Sequence, residues 1–125
     1  MMSLEHLKVL DLTTHLSGPY CAMILADHGA DVVKVERPDG GDDMRKTPPT
    51  NGGESAPFML WNRNKRSITL NLKDPDDLAQ LLQLVDVADV LIENFKPGTA
   101  ERLGIGYEAI SARNPRLVYC SISGF

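Results

Sequence analysis

Cysteine is scarce, and metal-ligand spacing is absent. Cys21 and Cys120 stand far apart with no C-x-x-C pattern and no companion ligands, so the expected state is two buried, reduced thiols. No apolar run approaches the roughly 18 residues of a membrane helix. The start, M-M-S-L-E-H-L-K, lacks the charged-then-apolar pattern of a secretion signal. A cytoplasmic protein is therefore expected. Glycine is sparse where nucleotide folds need it: the turn after the first predicted strand reads T-H-L-S-G-P, with Gly18 alone and Pro19 lacking an N–H. That is not the G-x-G-x-x-G that lets backbone approach a pyrophosphate, and no P-loop follows anywhere. Ser17 lacks a G-x-S-x-G elbow, and His15 nearby has no evident orienting carboxylate. Internal repeats, low-complexity tracts and linkers are likewise missing.

What is present is a local basic stretch on an acidic chain. The formal net charge is −4, yet Arg63, Lys65, Arg66 and Lys73 crowd into Asn62 to Lys73. Such a cluster suits a polyanionic small ligand better than a nucleic-acid duplex. A solvated charged face before an edge strand would look the same. Length predicts about one domain with a real core.

Strands and helices alternate along the chain. Lys8 to Thr13 reads as a buried strand, Tyr20 to Asp27 as a helix, and Asp31 to Glu36 as a strand following Gly29, a candidate left-handed cap. Together they make a βαβ unit. Arg37 to Pro57, rich in Pro and Gly, reads as a long excursion without regular structure, functional or mobile, or else a disordered insertion. Ser67 to Leu72 is a strand by its period-two alternation. Asp74, Pro75, Asp76 and Asp77 then mark a helix start, and Leu78, Leu81, Leu82 and Val85 form its core-facing stripe. Val90 to Asn94 predicts a strand, Thr99 to Leu103 and Tyr107 to Arg113 helices, and Leu117 to Ser123 a final strand.

This pattern predicts an α/β fold: a Rossmann-like, doubly wound, mainly parallel sheet with helices on both faces. Ligands of such sheets bind beyond the carboxyl ends of the strands. Arg37, Lys73, Asn94 and Lys96 fall there and Arg102 is within reach, a lining suited to phosphates. Glu36 ends the second strand where an acid would hold a ribose hydroxyl, but the first turn argues against a dinucleotide. Gly40-Gly41-Asp42-Asp43 reads as a turn, Asp11 as a hydrogen-bonded structural carboxylate, and His6 and His28 as surface residues.

These stretches add up to a resemblance. L-K-V-L-D-L-T, S-G-P, L-A-D-H-G-A-D-V-V-K-V-E-R-P, N-R-N-K-R-S-I-T-L-N-L-K-D-P, A-D-V-L-I-E-N-F-K-P-G, E-R-L-G and N-P-R-L-V-Y-C-S-I-S-G-F cover essentially the whole chain. In this order they resemble the amino-terminal part of family III CoA-transferases, the CaiB/BaiF superfamily. Members move coenzyme A between carboxylic acids, and close relatives racemise 2-methylacyl-CoA thioesters. The resemblance implies a CoA-binding Rossmann-like segment over residues 1–125, a homodimer of interlocked chains, no tightly bound cofactor, and CoA or acyl-CoA with a small carboxylic acid as substrates. It places CoA contacts at Leu16, Ser17, Arg37, Leu70, Lys73, Asn94, Phe95 and Arg102. The family's nucleophilic aspartate, which carries CoA as an aspartyl thioester, lies downstream of S-G-F. The expectation is thus a fragment without the catalytic residue, inactive alone; a racemase-type fragment and a non-catalytic CoA or adenine-nucleotide module are the alternatives.

Overall fold

The computed structural model describes residues 1–124. Its main sheet holds β1 (Lys8–Asp11), β2 (Asp31–Glu36), β5 (Arg66–Thr69), β6 (Val90–Glu93) and β7 (Val118–Ser121). All neighbours are parallel, in the order β5-β2-β1-β6-β7. The order reverses between β1 and β6, which is where a doubly wound sheet opens a crevice.

Two helical layers cover the sheet because alternate strand residues point to opposite faces. Val9, Val32 and Ile92 pack with Ala22 and Ala26 of α1 (Ser17–Asp27). Leu10, Val35 and Leu91 pack on the other side with Leu81 and Val85 of α3 (Pro75–Val87) and Ile110 of α5 (Tyr107–Arg113). A short α4 (Thr99–Arg102) follows β6. Leu81, Val85, Leu91 and Ile110 are fully shielded from water, and burying each such side chain is worth about 1.5–3 kcal/mol.

The helix boundaries have local chemical causes. Asp74 Oδ1 accepts from the N–H groups of Asp76 and Asp77, and Pro75 opens α3. Gly29, at φ 102, ends α1 while the Gly29 and Ala30 N–H groups return to Ala26 and Leu25. Gly18 is required by a close approach, since a Cβ there would sit 2.2 Å from Thr13 Cβ.

The expected structureless excursion is instead ordered. It contains a 3-10 turn at Asp43–Lys46, a hairpin of β3 (Thr50–Asn51) and β4 (Glu54–Ser55), and α2 (Ala56–Trp61), capped by Ser55. Tyr20 of α1 meets Trp61 of α2 edge-on, with ring centroids 5.4 Å apart.

The cause of that order lies in the strands. By alternation Asp11, Lys34 and Glu36 share the α1 face with Val9 and Val32, and all three are buried. Buried charges demand partners; the excursion delivers those of Lys34 and Glu36, and Lys65, just before β5, delivers that of Asp11. Lys34 Nζ lies 2.9 Å from Asp42 Oδ2, although that oxygen receives no well-directed hydrogen bond. The ammonium donates to the Thr13 carbonyl at 2.8 Å. Arg45 grips Glu36 with Nε and Nη2 at 2.8 and 2.7 Å and lies 3.9 Å above the Phe58 ring. Lys65 reaches Asp11 at 2.8 Å, and also the Pro19 carbonyl and Asn62 Oδ1. Asp11 is structural, as its position in the strand suggested.

Cys21 and Cys120 belong to the α1-side cluster and are free, each half-buried. Burial, then the neighbouring Cys120, pushes the Cys21 thiol up.

Candidate functional site

The carboxyl ends of β1, β2, β5 and β6 face one rim. Leu12, Thr13 and Thr14 leave β1, Arg37 leaves β2, Leu70 to Lys73 leave β5, and Asn94 and Phe95 leave β6. A cleft of about 270 Å³ opens among them, with Gly41, Asp42 and Leu103 completing the wall. Its floor is apolar, from Leu12, Val35, Leu70 and Phe95, while Arg37 and Lys73 stand at its edge. A second cavity of about 520 Å³, lined by Ser17, Asn94, Phe95, Lys96 and Ile122 among others, has Phe95 in common with the first.

Asn94 sits at the topological switch point as a clamp. Its Oδ1 accepts from the Thr14 N–H at 3.0 Å, and its Nδ2 donates to the Thr14 carbonyl at 2.8 Å. That pairing fixes the segment after β1 against the segment after β6. Phe95 is aimed by a hydrogen bond from its N–H to Glu93 Oε2 at 2.8 Å.

Of the residues expected to line a site, Arg37, Leu70, Lys73 and Phe95 meet in the first cleft, and Ser17, Asn94 and Phe95 in the second. Leu16 is exposed at the start of α1, beside Ser17. Arg102 lines neither cavity; it is exposed on α4, donating to Thr99 Oγ1 at 3.0 Å.

The basic stretch does not form one site. Arg63 pairs with Asp27 and Arg66 with Asp31, both at 2.7 Å, and Lys65 is buried against Asp11. Arg66 opens β5 while Lys73 lies beyond its other end, so the strand itself separates them. Lys73 alone of the four reaches the cleft, and it has no carboxylate partner among the described residues.

Three further positions acquire defined partners. Glu36 is no free ribose acid: Arg45, Ser67 and the Asp42 N–H occupy its oxygens. Burial opposes its ionisation, but these donors outweigh it and bring its pKa from 4.5 down to about 2. The Gly-Gly-Asp-Asp turn is also a structural hub, because buried Asp42 accepts from the His15 and Met44 N–H groups. His15 does have a carboxylate neighbour, Asp43, with Nε2 3.8 Å from Oδ2. His6 and His28 are exposed as expected.

Among the described residues no group of His, Cys, Asp and Glu could hold a metal ion. No helix is long and apolar enough to cross a membrane.

A parallel sheet of this order, with its crevice beyond the carboxyl ends of β1 and β6, defines a Rossmann-like α/β protein. The chain belongs to CoA-transferase family III, whose family model matches residues 4–125. It is 54% identical over 130 residues to succinyl-CoA:mesaconate CoA-transferase of Haloarcula marismortui, covering 100% of this chain and 33% of that protein. It is 48% identical over 123 residues to human succinyl-CoA:glutarate CoA-transferase, covering 98% of this chain and 28% of the relative. The structure of a CaiB/BaiF family protein from Brucella suis superposes with TM-score 0.93 at 44% identity, over 99% of this chain and 34% of that one. The chain thus spans about a third of the length of the relatives it matches.

Proposed function

We propose that residues 1–125 are the CoA-binding segment of a CoA-transferase that moves coenzyme A between carboxylic acids. The observation that carries this reading is the single cleft where Arg37 and Lys73 stand at the mouth of an apolar floor made by Leu70 and Phe95. CoA pairs phosphates with an adenine ring and a pantetheine arm. Guanidinium and ammonium groups suit the former, and an aromatic and aliphatic wall suits the latter. Ser17 and Asn94 line the adjoining cavity toward which the thioester would extend, with Leu16 beside them. Arg102 would join the phosphate contacts only by swinging from Thr99.

CoA is a substrate in this reading, with no tightly bound cofactor. The transfer would run through an aspartyl-CoA thioester on a residue outside this chain, so no carboxylate of the present sequence serves as nucleophile. Asp11, Glu36 and Asp42, the buried candidates near the rim, are already committed to Lys65, Arg45 and Lys34. The names of the two transferase relatives, both of which include succinyl-CoA, support a CoA thioester as donor. A homodimer is part of the same proposal.

Calorimetric titration of CoA into Arg37→Ala and Lys73→Ala variants tests the reading. Each loss of a charged contact should weaken CoA by about 10-fold or more, as expected for hydrogen bonds to charged groups. Unchanged affinity in both variants would refute the placement.

A further inference from the structure

Arg37 does not meet the cleft as a free cation. Its Nη2 donates to Asp43 Oδ1, and its Nε lies 3.3 Å from Asp39 Oδ1. The other oxygen of Asp43 lies 3.8 Å from His15 Nε2. One carboxylate therefore spans the gap between the imidazole that follows β1 and the guanidinium that follows β2, and of these groups Arg37 lines the cleft. The side chains of Arg37, Asp43 and His15 are 49%, 50% and 63% exposed, so water and an incoming ligand can reach all three.

The backbone beneath this array is fixed while the carboxylate is not. Asp42, the residue before Asp43, is buried and held by Lys34, and its own N–H donates to Glu36. Asp42 Oδ1 accepts from the His15 N–H at 3.1 Å, and His15 sits at φ 66. A histidine in the left-handed region is uncommon, and the surrounding contacts keep it there. His15 and Asp43 are thus set at a constant spacing, but the Asp43 side chain stands in solvent and can rotate away. Lys73, across the cleft, has no comparable carboxylate among the described residues.

We propose that Asp43 is a resident counter-anion that competes with the ligand's phosphoryl groups for Arg37, and thereby sets the affinity of the cleft. The inference rests on the CoA reading above and adds a residue that lowers affinity to those that raise it. Asp39 and Asp43 occupy the Nε–Nη2 edge of the Arg37 guanidinium, so a phosphate can grip that edge with two hydrogen bonds only by displacing them. Half-exposed ion pairs are weak enough to be exchanged readily. The resident pair neutralises Arg37 in the apo cleft and limits its capture of other anions, in the way that a built-in repulsive element narrows specificity.

The test is calorimetric titration of CoA at low salt into the wild-type chain, Asp43→Asn, Asp43→Ala, Arg37→Ala and the Arg37→Ala/Asp43→Asn double variant. Asp86→Asn serves as the charge control, since Asp86 pairs with Arg113 outside the cleft. Asp43→Asn and Asp43→Ala should each tighten CoA by about 2–5-fold, the range an exposed ion pair allows. The gain should shrink at high salt and vanish in the Arg37→Ala background. Asp86→Asn should leave affinity unchanged. Unchanged or weaker binding by both Asp43 variants, with CoA still bound by the wild type, would overturn the inference and leave the CoA reading standing. A gain that persists without Arg37, or that Asp86→Asn reproduces, would mark a general charge effect and overturn it too. Absence of CoA binding by every protein would overturn both readings together.

Discussion

Lys34 and Asp42 form an ion pair of 2.9 Å whose side chains are 1% and 0% exposed. It joins the middle of β2 to the turn that contributes Gly41 and Asp42 to the cleft wall. Because neither charge has water to fall back on, removing one partner should cost far more than an exposed pair would. Lys34→Met is expected to destabilise the fold by about 3–5 kcal/mol, the cost of stranding a buried charge. Lys34→Met/Asp42→Leu should be less destabilised than the sum of the two single variants. Urea unfolding followed by circular dichroism checks this, and additive losses would show that the pair is not coupled.

Asn94 provides a second, milder prediction. Its amide makes two hydrogen bonds to the Thr14 backbone and tethers the two sides of the switch point. Asn94→Ala should lower stability by about 1–3 kcal/mol, from two lost bonds of ordinary strength. Asn94→Asp should also be destabilised, because a carboxylate replaces the donor that the Thr14 carbonyl receives. Thermal melts of the two variants decide this, and an unshifted Asn94→Asp would contradict the clamp.

Glu36 gives the chain a defined acid sensitivity. Burial works against its charge, yet Arg45, Ser67 and the Asp42 N–H hold its folded pKa at about 2 instead of 4.5. A carboxylate with a depressed folded pKa contributes stability that is fully present above pH 4.5, and that contribution fades as pH falls toward 2. Glu36→Gln should therefore be less stable at neutral pH and show a flatter decline across that acidic window. Unfolding free energies measured at several pH values test this. Parallel curves for variant and wild type would assign the acid sensitivity to other groups.

The elements that were legible in the sequence are those specified by neighbours along the chain. Asp74-Pro75 and Gly29 fixed helix ends through contacts within a few residues. Strands rich in Val, Ile and Leu that alternate with helices marked a sheet covered on both faces. Arg37 and Lys73 were placed together by the rule that ligands gather beyond the strands' carboxyl ends, and the family resemblance added Leu70 and Phe95, which line the same cleft. The failures were of long range. Arg63 and Arg66 looked like ligand groups because Asp27 and Asp31, their partners, lie far back in the sequence. The Pro- and Gly-rich segment looked structureless because its order comes from Asp42 and Arg45 answering charges buried in β2. A signal was available: Lys34 and Glu36 alternate with valines inside a strand, and a charge at a buried strand position requires a partner from elsewhere. His15 and Asp43 approach each other only through the backbone bond to Asp42, which no local pattern announces.

The most direct trial of the account is titration of CoA and, separately, of NAD into the isolated chain at low salt. Saturable one-site binding of CoA that weakens as salt is added, with no heat from NAD, is the expected result. Binding of NAD in place of CoA, or indifference to both, would contradict a CoA handle held by Arg37 and Lys73.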